Sequence, residues 1–212
     1  MPLMNQEKLN RMCRLINKAG GEYAYNVTMA ASDIADWFNE NWISSSSKHL
    51  ASNIQDGLKT LNSDMSRTIN DYNRRIRTSI YNYNNTNDNI LYYPGFYLEC
   101  PNVGMLDSLN QYLYNGKVGS TCSTDDLKYP FNHIRAVVQD TTQNIKKAIV
   151  SADALTYNEQ QGLQMGIIRA ERKFTNSIDE LEQALNSKVA EQRDLLQAIN
   201  GLDADILKNI YF

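Results

Sequence analysis

His49 and His133 are the only histidines among 212 residues. Neither has a Glu three residues before it, so the Glu-x-x-His pair of a carboxylate-bound two-metal site in a helical bundle is absent. HExxH, GxSxG, GxGxxG and the phosphate-binding GxxxxGK pattern are absent too, so the familiar metal, nucleophile and phosphate constellations have no foothold. Carboxylates are plentiful, among them Asp36, Glu40, Glu171, Asp179, Glu180, Glu182, Asp203 and Asp205. Most fall on the polar faces of expected helices, where solvation accounts for them. Cys13, Cys100 and Cys122 form no CxxC, and a zinc site needs closer ligand clusters. Cys100 and Cys122 bracket one segment. A disulfide between them would close a loop of roughly 22 residues, worth about 3 kcal/mol by chain entropy, in an oxidising compartment. The other reading is a pair of small buried thiols. Asn26-Val27-Thr28 and Asn84-Asn85-Thr86 match the short glycosylation pattern. No catalytic residue, metal ligand or cofactor site follows, and the expectation is a protein that is not an enzyme.

The elements that carry these residues are long helices. Leu50, Ile54, Leu58, Leu61, Met65, Ile69, Tyr72, Ile76 and Ile80 recur in steps of three and four, one buried stripe on a helix over 45–83. Such a helix cannot bury its stripe alone, so the rest of the chain must lie along it. Upstream, Leu9, Met12, Cys13 and Ile16 suit a short helix over 5–18. Gly20 and Gly21 then read as a kink or break, each costing about 1 kcal/mol relative to Ala in a helix. Tyr23, Val27, Ile34, Trp37 and Phe38 continue the pattern over 22–42. The serine run 44–47 favours a turn and an N-cap, because serine hydroxyls compete for backbone partners. A helix running through it is the alternative. Trp37 and Trp42 are expected between the first two long helices.

Residues 91–129 change character. They hold two prolines, Pro94-Gly95, Asn115-Gly116 and the aromatics Tyr92, Tyr93, Phe96, Tyr97, Tyr112 and Tyr114. We read an irregular cap over the open end of the bundle, with a short hairpin (92–99 or 111–118) and a short helix near 104–113. The aromatics are either bundle cover or a binding surface. Helix returns over 130–153 and 160–208, with Thr124, Asp125, Asp126 and Pro130 at the start. Phe174, Ile178, Leu181, Leu185, Val189, Leu195, Ile199, Leu202 and Ile206 make a near-heptad seam, the candidate interface for a second copy or a helical protein partner. No repeat of 20–50 residues is found.

The totals agree. Net charge is −3, with 21 basic and 24 acidic residues, which argues against nucleic acid. Mean hydropathy is −0.52, and no apolar run reaches a membrane span. The N-terminal residues lack the apolar core of a signal peptide. The fold class expected is all-α: an elongated bundle of long antiparallel helices with coiled-coil-like packing. It divides into a hairpin (1–90), a small cap (91–129) and helices packing back on the hairpin (130–212).

Around Trp42, Ile43 and Ser44 the first 90 residues resemble the WXG family of helical-hairpin proteins exported by the type VII (ESX) pathway. In that family a Trp-x-Gly turn joins two helices, and the second stripe often ends on a tyrosine. Here Ser44 stands for the glycine, and the downstream stripe is matched with its end on Tyr72. The family's export signal, Tyr followed four residues later by an acid, is not met: Ile76 follows Tyr72, Asn85 and Asn87 follow Tyr81 and Tyr83, and Met29 follows Tyr25. The longer LXG-type targeting domain better suits this length. The resemblance implies a secreted interaction protein without a cleaved signal. A coiled-coil scaffold, cytoplasmic or from a phage, is the alternative, and a helical pore-forming toxin a third.

Overall fold

Four long helices form from these stripes: α1 (Gln6–Asn41), α2 (Ser45–Thr86), α3 (Asp125–Ala152) and α4 (Tyr157–Ile210). The computed structural model describes the backbone of residues 5–41, 45–88, 90–106 and 124–210. Side chains are described except at 41, 45, 46, 196 and 199–210. The all-α bundle is thus present, and the described residues contain no strand. No described helix is long and apolar enough to cross a membrane.

α1 packs along α3, α3 along α4, and α4 along α2. The directions alternate. Lys8 at the start of α1 pairs with Asp153 just past the end of α3, and Asp64 of α2 pairs with Lys173 of α4. One core runs through all four helices. Tyr23 of α1 meets Phe174 of α4 edge to face, with ring centroids 6.5 Å apart. α1 and α2 meet directly at only a few positions, although they are consecutive in sequence. Residues 91–106 fill the gap between them.

Several expectations need correction. Gly20 and Gly21 do not break α1, which is continuous from Gln6 to Asn41. The apolar stripe is unbroken across them, with Ile16, Ala19, Tyr23 and Val27 all buried, and that burial outweighs the glycine penalty. Residues 92–99 are extended but form no hairpin, and Gly104–Leu106 makes a 3-10 turn at the start of the helix expected near 104–113. The expected hairpin at 111–118 and the rest of that helix lie outside the described residues. Residues 91–106 do not cap the end of the bundle but run lengthwise between α1 and α2, while Tyr112 and Tyr114 lie outside the described residues. α3 begins at Asp125, so Pro130 sits inside the helix rather than at its first position. Trp37 is buried edge to face against Phe38, while Trp42 lies outside the described residues.

The turn between α3 and α4 is built by local chemistry. Asp153 adopts the left-handed conformation (φ 48°) that ends many helices, and its N–H bonds the Val150 carbonyl. Thr156 and Glu159 then form a reciprocal cap. The Thr156 N–H and hydroxyl donate to Glu159 Oε2 at 3.0 and 2.9 Å, and the Glu159 N–H donates to Thr156 Oγ1 at 3.4 Å.

The glycines of α1 give a paired test. A Cβ on Gly20 would sit 2.8 Å from the Tyr97 carbonyl oxygen and 3.3 Å from Leu98 Cα, both backbone atoms. On Gly21 it would meet only the Glu99 carboxylate, at 3.5 Å. Gly21→Ala should therefore raise stability by up to about 1 kcal/mol through helix propensity. Gly20→Ala should lower it by about 1–3 kcal/mol through overpacking. Thermal melting of the two variants checks the opposite signs.

Candidate functional site

The groove between α1 and α2 is lined by polar side chains at a fixed interval, and these hold residues 91–106 as an extended strap. On α1, Gln6, Asn17 and Thr28 stand eleven residues apart. Gln6 accepts from the Tyr92 N–H and donates to its carbonyl, both at 2.7 Å. Asn17 accepts from the Tyr97 N–H at 2.8 Å, and Thr28 from the Asn102 N–H at 2.9 Å. The strap positions 92, 97 and 102 are five residues apart. Eleven residues of helix rise about 16.5 Å, and five residues of extended chain span about the same. The two rises match, so one rung recurs along the groove.

α2 repeats the device in the opposite direction. Asn84 accepts from the Leu91 N–H and donates to its carbonyl, each at 2.8 Å. Eleven residues earlier, Asn73 accepts from the Phe96 N–H at 3.3 Å and from the Tyr93 hydroxyl at 2.8 Å. Along the strap the side chains of Leu91, Phe96, Leu98 and Val103 are buried, while Tyr92 and Tyr97 are exposed. Amides and hydroxyls of the helices thus replace the neighbouring strand an extended segment would otherwise need.

The next α2 position in the period is Asn62, and the strap residue five beyond Phe96 is Pro101. Proline has no N–H to give. Asn62 is almost fully buried, and its Oδ1 accepts instead from the Tyr23 hydroxyl. Its Nδ2 has no hydrogen-bond partner. Burial pushes the Tyr23 and Tyr93 phenols far above their ordinary range, so both remain protonated donors. Asn62 lines an open cavity of about 460 Å³, walled by α2 on one side and by Cys100 and Pro101 on the other. Lys59, Ser63, Ser66 and Arg67 share that lining.

The candidate interface on α4 divides in two. Phe174, Ile178, Leu185 and Val189 are buried within the chain. Leu181 is half-buried against the core and would touch any Cβ placed on Gly57, its Cδ1 lying 2.8 Å away. Leu195 is 55% exposed. The side chains of Ile199, Leu202 and Ile206 lie outside the described residues, as do Trp42 and Ser44 of the turn. Cys100 carries a free, exposed thiol and Cys122 lies outside the described residues, so the candidate bridge has one described end. Cys13 is buried, and burial pushes its thiol up to about 11 against opposing hydrogen bonds from Gly95 and Tyr93.

Two of the carboxylates expected to be merely solvated clamp helices instead. Arg135 of α3 donates to Asp179 at 2.8 Å and to Glu182, both on α4. Tyr72 lies over the small residues of α4: a Cβ on Gly166 would come within 2.8 Å of its hydroxyl. Among the described residues no three His, Cys, Asp or Glu side chains gather as a metal site. The eleven-residue polar period was readable in the sequence, but it falls below the 20–50-residue repeats sought there. No family model matches the chain, and no curated protein or solved structure matches it.

Two outcomes follow from the groove. Asn73→Ala leaves the Phe96 N–H and the Tyr93 hydroxyl unpaired, which should cost about 1–3 kcal/mol and speed hydrogen exchange at the Phe96 amide. Thiol labelling of the native protein, followed by peptide mapping, should modify Cys100 and leave Cys13 protected until the chain unfolds.

Proposed function

We propose that the protein is a non-enzymatic helical interaction protein that associates through the C-terminal part of α4. The carrying observation is the length of that helix against its neighbours. Gly57 faces Leu181, Asp64 faces Lys173 and Tyr72 faces Gly166. Each facing pair of residue numbers totals 237 or 238, so Ser45, the first residue of α2, falls opposite position 193. On the other flank, the pairing of Arg135 with Asp179 and Glu182 brings Asp125, the first residue of α3, opposite positions 189–192. α4 continues to Ile210, about 26 Å past both. Among the described elements none reaches alongside it there.

The sequence keeps its apolar rhythm over this stretch, at Leu195, Ile199, Leu202 and Ile206. Leu195 is exposed there, and a long apolar stripe without a neighbouring element would be surface that monomers seldom leave open. A second copy, or a helical partner, would continue the packing that Phe174 to Val189 make within the chain. The small net charge opposes self-association little.

A second reading concerns export. Two long helices joined through only residues 42–44, with Trp42 in that connection, favour a relationship in kind to the substrates and targeting domains of the type VII pathway. Finding the chain in culture medium with its N-terminus unprocessed, and only when the export ATPase is active, would support it. Retention in cells with a working pathway would remove it.

Light scattering tests the association. At high micromolar concentration the wild-type mass should be twice 24.2 kDa. Leu195→Asp should return it to the single-chain value with an unchanged melting temperature, because that side chain is exposed. A wild-type mass of one chain would overturn the homodimer.

A further inference from the structure

We propose that the outer face shared by α2 and α4 docks on the surface of an anionic lipid bilayer. Its arginines meet the headgroup phosphates, and its exposed tyrosine and methionine enter the interface. This face lies toward the C-terminal end of α2, away from the projecting end of α4, and its test does not depend on association there.

The two helices set their cations side by side. Asp64 pairs with Lys173, and Tyr72 rests against Gly162 and Gly166. Residues 64–75 of α2 therefore lie along residues 163–174 of α4. This stretch carries Arg67, Arg74 and Arg75 on α2 and Arg169, Arg172 and Lys173 on α4, all exposed. Asp64, Asp71 and Glu171 are its only carboxylates. The stretch is positive within a chain whose net charge is −3.

These cations are incompletely neutralised. Asp64 is shared between Lys173 and Arg67, 3.4 Å from the latter, and Asp71 holds Arg74 at 2.7 Å. Ion pairs between exposed side chains are weak and screened by salt. Arg75 stands over the Tyr72 ring, 5.3 Å from its centroid. Among the described residues Arg169 and Arg172 pair with no carboxylate.

The face also has an apolar half, and that half selects the occupant. Arg67, Arg74 and Tyr81 follow at seven-residue steps, so they share one outward stripe of α2. Arg172, Arg169 and Met165, at steps of three and four, share one on α4. The helices are antiparallel, so both stripes pass from arginine to an apolar side chain toward the same end of the bundle. Tyr81 is 65% exposed and Met165 49%. Ile90, just past α2, and Tyr157, at the start of α4, are exposed at that end too. A nucleic acid would engage the cations and leave these side chains in water. A bilayer surface meets both halves: its phosphates take arginine, and its interface takes tyrosine and other apolar tips. No described helix is long and apolar enough to cross the bilayer, so the contact proposed is a peripheral one.

Sedimentation with vesicles tests the face. The full chain should pellet with phosphatidylcholine vesicles containing one-third phosphatidylserine and stay in solution with phosphatidylcholine alone. Added salt should release it, because exposed charges are screened. Each cation near an anionic bilayer strengthens binding about fivefold, so Arg169→Gln combined with Arg172→Gln should weaken it about tenfold or more. Tyr81→Ser should weaken it several-fold and leave the salt dependence unchanged. These side chains are exposed, so both variants should melt as the wild type does. Lys128→Gln, at an exposed cation of α3, should bind as the wild type does. No pelleting at millimolar anionic lipid, or equal pelleting with phosphatidylcholine alone, would overturn the bilayer as occupant. So would capture of a short DNA duplex in place of vesicles. Unchanged binding in the folded double arginine variant or in Tyr81→Ser, or an equal loss in Lys128→Gln, would overturn this face.

Discussion

The bundle depends on a match between two rises. An α-helix climbs about 1.5 Å per residue and an extended chain about 3.3 Å, so eleven residues of one equal five of the other. Gln6, Asn17 and Thr28 on α1, with Asn73 and Asn84 on α2, use that equality to hold the strap from both sides. Without these rungs the main-chain groups of Leu91 and Phe96, part-buried against α2, would lose their partners, and nothing would fix the register of the strap on α1. With them, an irregular segment takes the seat of a fifth packed element. It separates α1 from α2 and closes the ring that α3 and α4 leave open.

Small residues set how closely the pieces approach. Gly20 lets the strap backbone pass over α1, and Gly166 lets the Tyr72 ring lie on α4. Gly57 makes room for Leu181 in the same interface. Each glycine costs helix propensity, offset by a contact between neighbours that a methyl group would push apart. Arg135, between Asp179 and Glu182, adds a polar clasp between α3 and α4.

Two places depart from the regular patterns of the bundle. The backbone of α4 runs on to Ile210, past the levels at which α2 and α3 begin. The cavity beside Pro101 interrupts a polar pairing pattern at the one rung where the strap has no N–H.

The helices and their inward faces were legible because burial imposes a local period. Ile54, Leu58, Leu61, Met65 and Ile69 announce one buried stripe whatever covers it, and all are buried. The cap Thr156-x-x-Glu159 is equally local, since both of its partners lie within four consecutive residues. What covers each stripe was not legible. Consecutive α1 and α2 look like a directly packed hairpin, yet α1 packs on α3 and the strap lies between, because pairing at long range depends on the whole set of faces at once. The same holds for Gly20 and Gly21. Their cost is local and visible, whereas the strap backbone crossing at Tyr97 and Leu98 is a tertiary fact. The polar period of Asn62, Asn73 and Asn84 stood in the sequence, but only the extended chain beside it decides that Asn73 and Asn84 hold the strap while Asn62 pairs with Tyr23 instead.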